Sequence, residues 1–184
     1  MVAFVVVYDG CVLYPSTLRD LLIRIHQAGL VQAKWTDEIL HEMTTALRRD
    51  FPDITEAKAE RLRGLMVQAV RDCRVTNYEP LIAAVELPDP KDRHVLAAAI
   101  RARAQIIVTN NSRDFPADYL ATWDVEAKTA DEFVLDQISL NRQAVYGEIV
   151  RIADSHSNPP ESVADVLDRL ERFGLVESVA ALAS

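Results

Sequence analysis

The fold class that the sequence predicts is α/β: an open, mostly parallel sheet flanked by helices, with a C-terminal helical extension. Three observations carry this expectation. Residues 3–8 (Ala-Phe-Val-Val-Val-Tyr) and 106–109 (Ile-Ile-Val-Thr) are continuous apolar, β-rich runs, as expected of strands buried on both faces. Stretches with apolar residues at helical spacing separate them. At 184 residues the chain is long enough for one such domain plus an appendage.

The elements follow in order. Asp9-Gly10 ends the first strand, and a helix begins near Pro15, with Leu18, Leu21, Leu22 and Ile25 on one face and Gly29 as its stop. Leu30–Ala33 reads as a short second strand. Thr36 or Asp37 can cap a helix running from Glu38 to about Arg49. Phe51-Pro52-Asp53 is a turn. Thr55 opens a longer helix with Leu62, Leu65, Met66, Ala69 and Val70 on one side. Residues 78–90 read as loop with one helical turn, and residues 91–103 as an Ala-rich helix. Asn110–Pro116 is loop, Val125–Lys128 an edge strand, and Asp131 a cap for a further helix. After Asn158-Pro159-Pro160, residues 161–184 form a helix, a turn at Phe173-Gly174 and a second short helix. Two regions result: a domain at 1–134 and a helical extension at 135–184.

Composition narrows the function. Cys11 and Cys73 are too few for a disulfide framework, which fits a reduced, cytoplasmic setting. The N-terminal residues lack the basic segment of a signal peptide, and no run approaches the ~20 apolar residues that span a bilayer. The net charge of −8 disfavours a broad nucleic-acid surface. Local positive patches exist nevertheless, at 48–74 and 91–103. Only five glycines are present, and none builds a phosphate-binding loop or a dinucleotide fingerprint. No nucleophile elbow occurs. The histidines His26, His41, His94 and His156 make no paired motif.

What remains are acids at element ends. Asp9 closes a buried strand, where an unpaired carboxylate is costly. Glu42 falls roughly 90° from the centre of its helix's apolar stripe, a flank position able to turn toward a cleft. In Asp89-Pro90-Lys91-Asp92, Asp89 can cap, with Asp92 as the third helical residue; Asp92 shares a face with Leu96 and Ala99. Asp114 follows the strand Ile106–Thr109. An open parallel sheet gathers such residues at the carboxyl ends of its strands. Clustered carboxylates without Cys or His select a hard cation, Mg²⁺ or Mn²⁺.

The order of motifs resembles the PIN-domain family, specifically the VapC-type toxins of bacterial toxin–antitoxin pairs. The matching pieces are Val5-Val6-Val7-Tyr8-Asp9 with Val12-Leu13-Tyr14-Pro15, then Trp35-Thr36-Asp37-Glu38-Ile39-Leu40-His41-Glu42. Pro88-Asp89-Pro90-Lys91-Asp92 through Ala99 follows, and then Ile107-Val108-Thr109-Asn110-Asn111-Ser112-Arg113-Asp114-Phe115-Pro116. The resemblance covers about residues 1–134. The resemblance implies a Mg²⁺- or Mn²⁺-dependent endoribonuclease with Asp9, Glu42, Asp92 and an acid after Thr109 as metal ligands. It also implies an RNA substrate, a cognate antitoxin protein and a homodimer. Many members carry Asp where this chain has Asn111, so Asp114 is expected to supply the fourth carboxylate, with Thr109 and Asn111 in support. Arg48, Arg49, Lys91 and Arg93 are candidates to receive the RNA backbone. The extension carries half the net charge, −4, which argues against DNA binding despite its helix–turn–helix look. Two alternatives stand beside this reading: a non-catalytic protein-binding module, and a phosphatase with a strand-end Asp nucleophile, which lacks its usual second Asp here.

Overall fold

Four parallel strands, in the order β2-β1-β3-β4 among the described residues, form the centre of the molecule. The computed structural model describes residues 3–184; positions 1 and 2 of the expected 1–134 domain lie outside the described residues. The strands are β1 (Phe4–Tyr8), β2 (Val31–Lys34), β3 (Ile106–Val108) and β4 (Glu126–Lys128). The two apolar runs of the sequence are the central pair β1 and β3, and Val6, Val7, Ile107 and Val108 are fully buried. The second strand lies one residue later than its apolar run suggests: its pairing with β1 begins at Val31, opposite Phe4. From β1 the chain moves outward to β2 and later returns across β1 to β3. The direction of winding therefore reverses between β1 and β3, the place where such sheets open a crevice.

Helices cover both faces. The turn after β1 holds a short helix, α1 (Gly10–Leu13), which the sequence reading did not separate from α2 (Ser16–Gln27). Leu18, Leu21, Leu22 and Ile25 of α2 are fully buried, as their spacing predicts. Helix α3 (Asp37–Asp50) starts under a Thr36 cap whose hydroxyl accepts from the Ile39 N–H. Helix α4 (Glu56–Ala69) starts under Thr55 in the same way. Met66 and Val70 are buried beside α4, but Leu65, expected on the same side, is 52% exposed. After a single turn, α5 (Glu79–Ile82), comes α6 (Arg93–Ala102), buried from His94 to Ala99. Its start departs from expectation. Pro90–Asp92 forms a separate 3-10 turn capped by Asp89, so Asp92 stands at the junction of turn and helix, not inside the helix.

The C-terminal part begins after α7 (Ala117–Ala121) and β4. Helix α8 (Ala130–Ser155) is capped by Thr129 with Glu132 reaching back to close the capping box; Asp131, the expected cap, instead accepts from the N–H groups of Glu177 and Ser178. The helix breaks its geometry at Asn141. Helices α9 (Val163–Arg172) and α10 (Val176–Ala183) pack on it, and α8 packs on α2. The Phe133 ring of α8 meets Tyr8 of β1 edge-on, with centroids 5.8 Å apart. Residues of α9 and α10, such as Val166, Leu170 and Leu182, thereby join the same apolar core as the sheet.

Candidate metal centre

The register of the two central strands sets the centre. Tyr8 pairs with Val108, so the next residues, Asp9 and Thr109, emerge side by side at the carboxyl edge. The Asp9 N–H donates to the Val108 carbonyl at 3.0 Å. One Asp9 carboxylate oxygen caps α1, accepting from the Gly10 N–H at 2.7 Å. The other accepts from the Thr109 hydroxyl at 2.9 Å. Asp9 is 8% exposed and has no basic side chain within ion-pair distance among the described residues. Burial raises its carboxyl pKa, and the Thr109 and Gly10 hydrogen bonds offset part of that rise.

The α1 turn lies against α3, with Gly10 backing onto Ile39 and Met43. This contact brings the flank of α3 beside Asp9. Asp9, Glu42, Asp92 and Asn111 line one groove of about 510 Å³, together with Cys11, Tyr14, Arg49 and Asp50. Asp114 belongs to the same neighbourhood through Asn111, whose side-chain amide donates to both Asp114 and Asp92. Carboxylate oxygens of Asp89, Asp92 and Asp114 all lie within 4.8 Å of one another. Burial, then the charges of Asp9, Asp114 and Asp89, push the Asp92 carboxyl up to about 6. The residues therefore fit a hard divalent cation: several oxygen donors converge, and among the described residues no lysine or arginine lies within ion-pair distance of Asp9, Asp92 or Asp114.

All six residues singled out from sequence have defined places here. Asp9, Glu42, Asp92 and Asn111 share the groove, Thr109 braces Asp9, and Asp114 sits one hydrogen bond behind. Glu42 does not pair with Arg49; Arg49 pairs with Asp50. Arg48 pairs with Glu56, so two of the four bases considered for RNA already hold acids.

Sequence reasoning missed His94. Its Nε2 lies 3.1 Å from Glu42 Oε1, and its Nδ1 lies 3.7 Å from Glu38 Oε2. Burial alone would lower its pKa; Glu42, Glu38 and Asp9 outweigh that and raise it. A polar side chain in a helix buried on every side needs a partner, and that was the available signal. Cys11 was also missed. The residue is exposed, but its Sγ lies near both Asp9 and Thr109, and local desolvation with the Asp9 charge pushes the thiol up to about 11.

Comparison with known proteins supplies the family. Residues 5–113 match the family described as PIN domain, more than half of the chain. The chain belongs to the PIN domain family. Residues 130–184 match a second family, the VapC50 C-terminal domain. A relative from Mycobacterium tuberculosis (strain ATCC 25618 / H37Rv), named "Putative ribonuclease VapC50", is 43% identical over 93 residues, which cover 50% of this chain and 54% of the relative. The match thus spans about half the length of that relative. No solved structure gives a significant match. For this PIN-domain chain, no helix among the described residues is long and apolar enough to cross a membrane.

Proposed function

We propose that this protein is a metal-dependent endoribonuclease that hydrolyses RNA phosphodiester bonds as the toxin of a toxin–antitoxin pair. The observation that carries the reading is the convergence of Asp9, Glu42 and Asp92 on one groove at the carboxyl edge of β1 and β3. Membership of the PIN domain family and a relative named as a ribonuclease support it. Asp9 and Asp92 are the principal cation ligands, and Glu42 and Asp114 complete the set. A Mg²⁺ or Mn²⁺ ion held by these carboxylates would lower the pKa of a water and neutralise charge on the phosphoryl oxygens.

The chain's own residues prepare that chemistry. Thr109 and the Gly10 N–H fix the Asp9 carboxylate in one orientation. Asn111 holds Asp92 and Asp114 together. We assign the nuclease to 1–134 and the helical extension to 135–184. The antitoxin partner and a homodimer rest on the motif resemblance, and a cytoplasmic setting on the two free cysteines.

Purified protein with a structured RNA and Mg²⁺ or Mn²⁺ tests the reading. Cleavage is expected to stop on chelation. Asp9→Asn is expected to lower the rate by ~100-fold or more, above the 10–100-fold typical of groups that only support a metal ligand. A folded Asp9→Asn protein that cuts at the wild-type rate refutes the assignment.

A further inference from the structure

We propose that His94 is a positioning residue, holding the Glu42 carboxylate at the rim of the cation groove. The inference rests on the ribonuclease reading above. Helix α3 delivers Glu42 only to a flank, where its side chain is 48% exposed. Among the described residues, no other side chain or N–H contacts its carboxylate within hydrogen-bond or ion-pair distance. An unrestrained glutamate at such a place samples many rotamers, most of them in solvent. The His94 ring, 5% exposed, is immobilised inside the buried first turns of α6.

The ring faces two carboxylates one helical turn apart on α3. Nε2 lies 3.1 Å from Glu42, and Nδ1 lies 3.7 Å from Glu38 with no hydrogen-bond partner of its own. Glu38 is held in turn by the Tyr78 hydroxyl, which donates to it at 2.9 Å. Tyr78 therefore fixes Glu38, and α6 fixes the ring, leaving Nε2 3.1 Å from Glu42. The contact ties α3 to the helix whose start carries Asp92. It restricts Glu42 to the side of α3 that shares the groove with Asp9 and Asp92. Supports of this kind typically change metal affinity or activity 10–100-fold.

The experiment uses the full chain, with Mn²⁺ binding measured by calorimetry and cleavage kinetics alongside. The side-chain amide of His94→Gln takes the place of Nε2, whereas that of His94→Asn takes the place of Nδ1 and cannot reach Glu42. Both are polar, and thermal melts check that both fold. His94→Asn and Glu42→Gln are each expected to weaken Mn²⁺ binding by roughly 10-fold or more and to lower kcat with KM for RNA little changed. The double variant is expected to be no worse than the poorer single one, because one interaction is lost twice. His94→Gln is expected to retain most of the affinity. A folded His94→Asn protein that binds Mn²⁺ like wild type, or penalties that add in the double variant, overturn the proposal. If Asp9→Asn binds Mn²⁺ like wild type, the ribonuclease site is misassigned. The His94–Glu42 contact is then judged by the His94 ring-nitrogen resonances: a shift of Nε2 on Glu42→Gln supports it, and no shift overturns it.

Discussion

Acids on the helical surface and the acids around Asp92 differ in their surroundings. Several surface acids are matched. Asp37 accepts two hydrogen bonds from Arg74, at 2.9 and 2.8 Å. Glu56 stands between Arg48 and Arg63, and the Arg63 hydrogen bond holds its carboxyl below the usual range. Lys128 donates to Asp136 at 2.5 Å. At the edge of the groove, Asp89 and Asp114 crowd within 4.8 Å of Asp92, Asp9 and Asp92 line the groove itself, and none of these four has an ion-pair partner among the described residues. The Asp9 and Asp92 carboxyls move up, not down. Matched acids stabilise the metal-free fold a little; crowded acids oppose it, and a cation between them would relieve that repulsion.

The largest expected effect of breaking this contrast comes from Asp92→Asn. Cleavage should fall ~100-fold or more, as for a lost ligand. In chelator, however, the same variant should melt higher than wild type, because a repelled charge has gone. The gain is on the order of 1 kcal/mol, once solvent screening of a part-exposed group is allowed for. Calorimetric unfolding with and without Mg²⁺ checks both halves. A metal-free Asp92→Asn protein less stable than wild type would show that the carboxylate serves the fold instead.

Acidity offers a second, smaller test. The folded Asp92 pKa is about 6 against an ordinary 3.8. A carboxyl raised on folding binds its proton more tightly in the folded state. Its contribution to stability is fully present below pH ~4 and is lost as pH rises through 6. Metal-free protein should therefore lose this contribution between pH 4 and 6, and Asp92→Asn should flatten that part of the curve. Saturating Mg²⁺ should stabilise the upper end, because binding to the folded state competes with the proton there. Denaturant melts across this window decide; identical curves for wild type and variant would remove Asp92 from the cluster.

Legibility follows the same division. The central strands could be read because β1 and β3 are buried on both faces, which forces continuous apolar runs. Asp9 was legible because a carboxylate at the end of such a strand has few structural excuses. The boundaries were less so. Pro90–Asp92 became a separate turn because Asp89 caps Lys91 at once, and no local pattern distinguishes that from a helix start. Asp131 looks like a cap, but Thr129 with Glu132 makes the better box, and the competition is decided by α10 drawing Asp131 away. For His94 the sequence hid the partners, not the residue. Glu38 and Glu42 are more than fifty positions away, so only the fold brings them to the ring.

The smallest expected effect belongs to the matched side of the contrast. Asp37→Asn removes an exposed, two-pronged contact with Arg74, whose side chains are 66% and 55% exposed. Such pairs are worth roughly 0.2–1 kcal/mol. Asp37 also lies in the first turn of α3, where a negative charge favours the helix dipole by roughly 0.3–1 kcal/mol. Both terms are screened by salt, so the deficit seen in dilute buffer should shrink as salt approaches 1 M, where the screening length is about 3 Å. Cleavage should stay at the wild-type rate, because Asp37 does not line the groove. Melting temperatures across a salt series, paired with RNA cleavage at one fixed salt, test this. A cleavage loss comparable to that of Asp92→Asn would erase the boundary between matched and crowded acids.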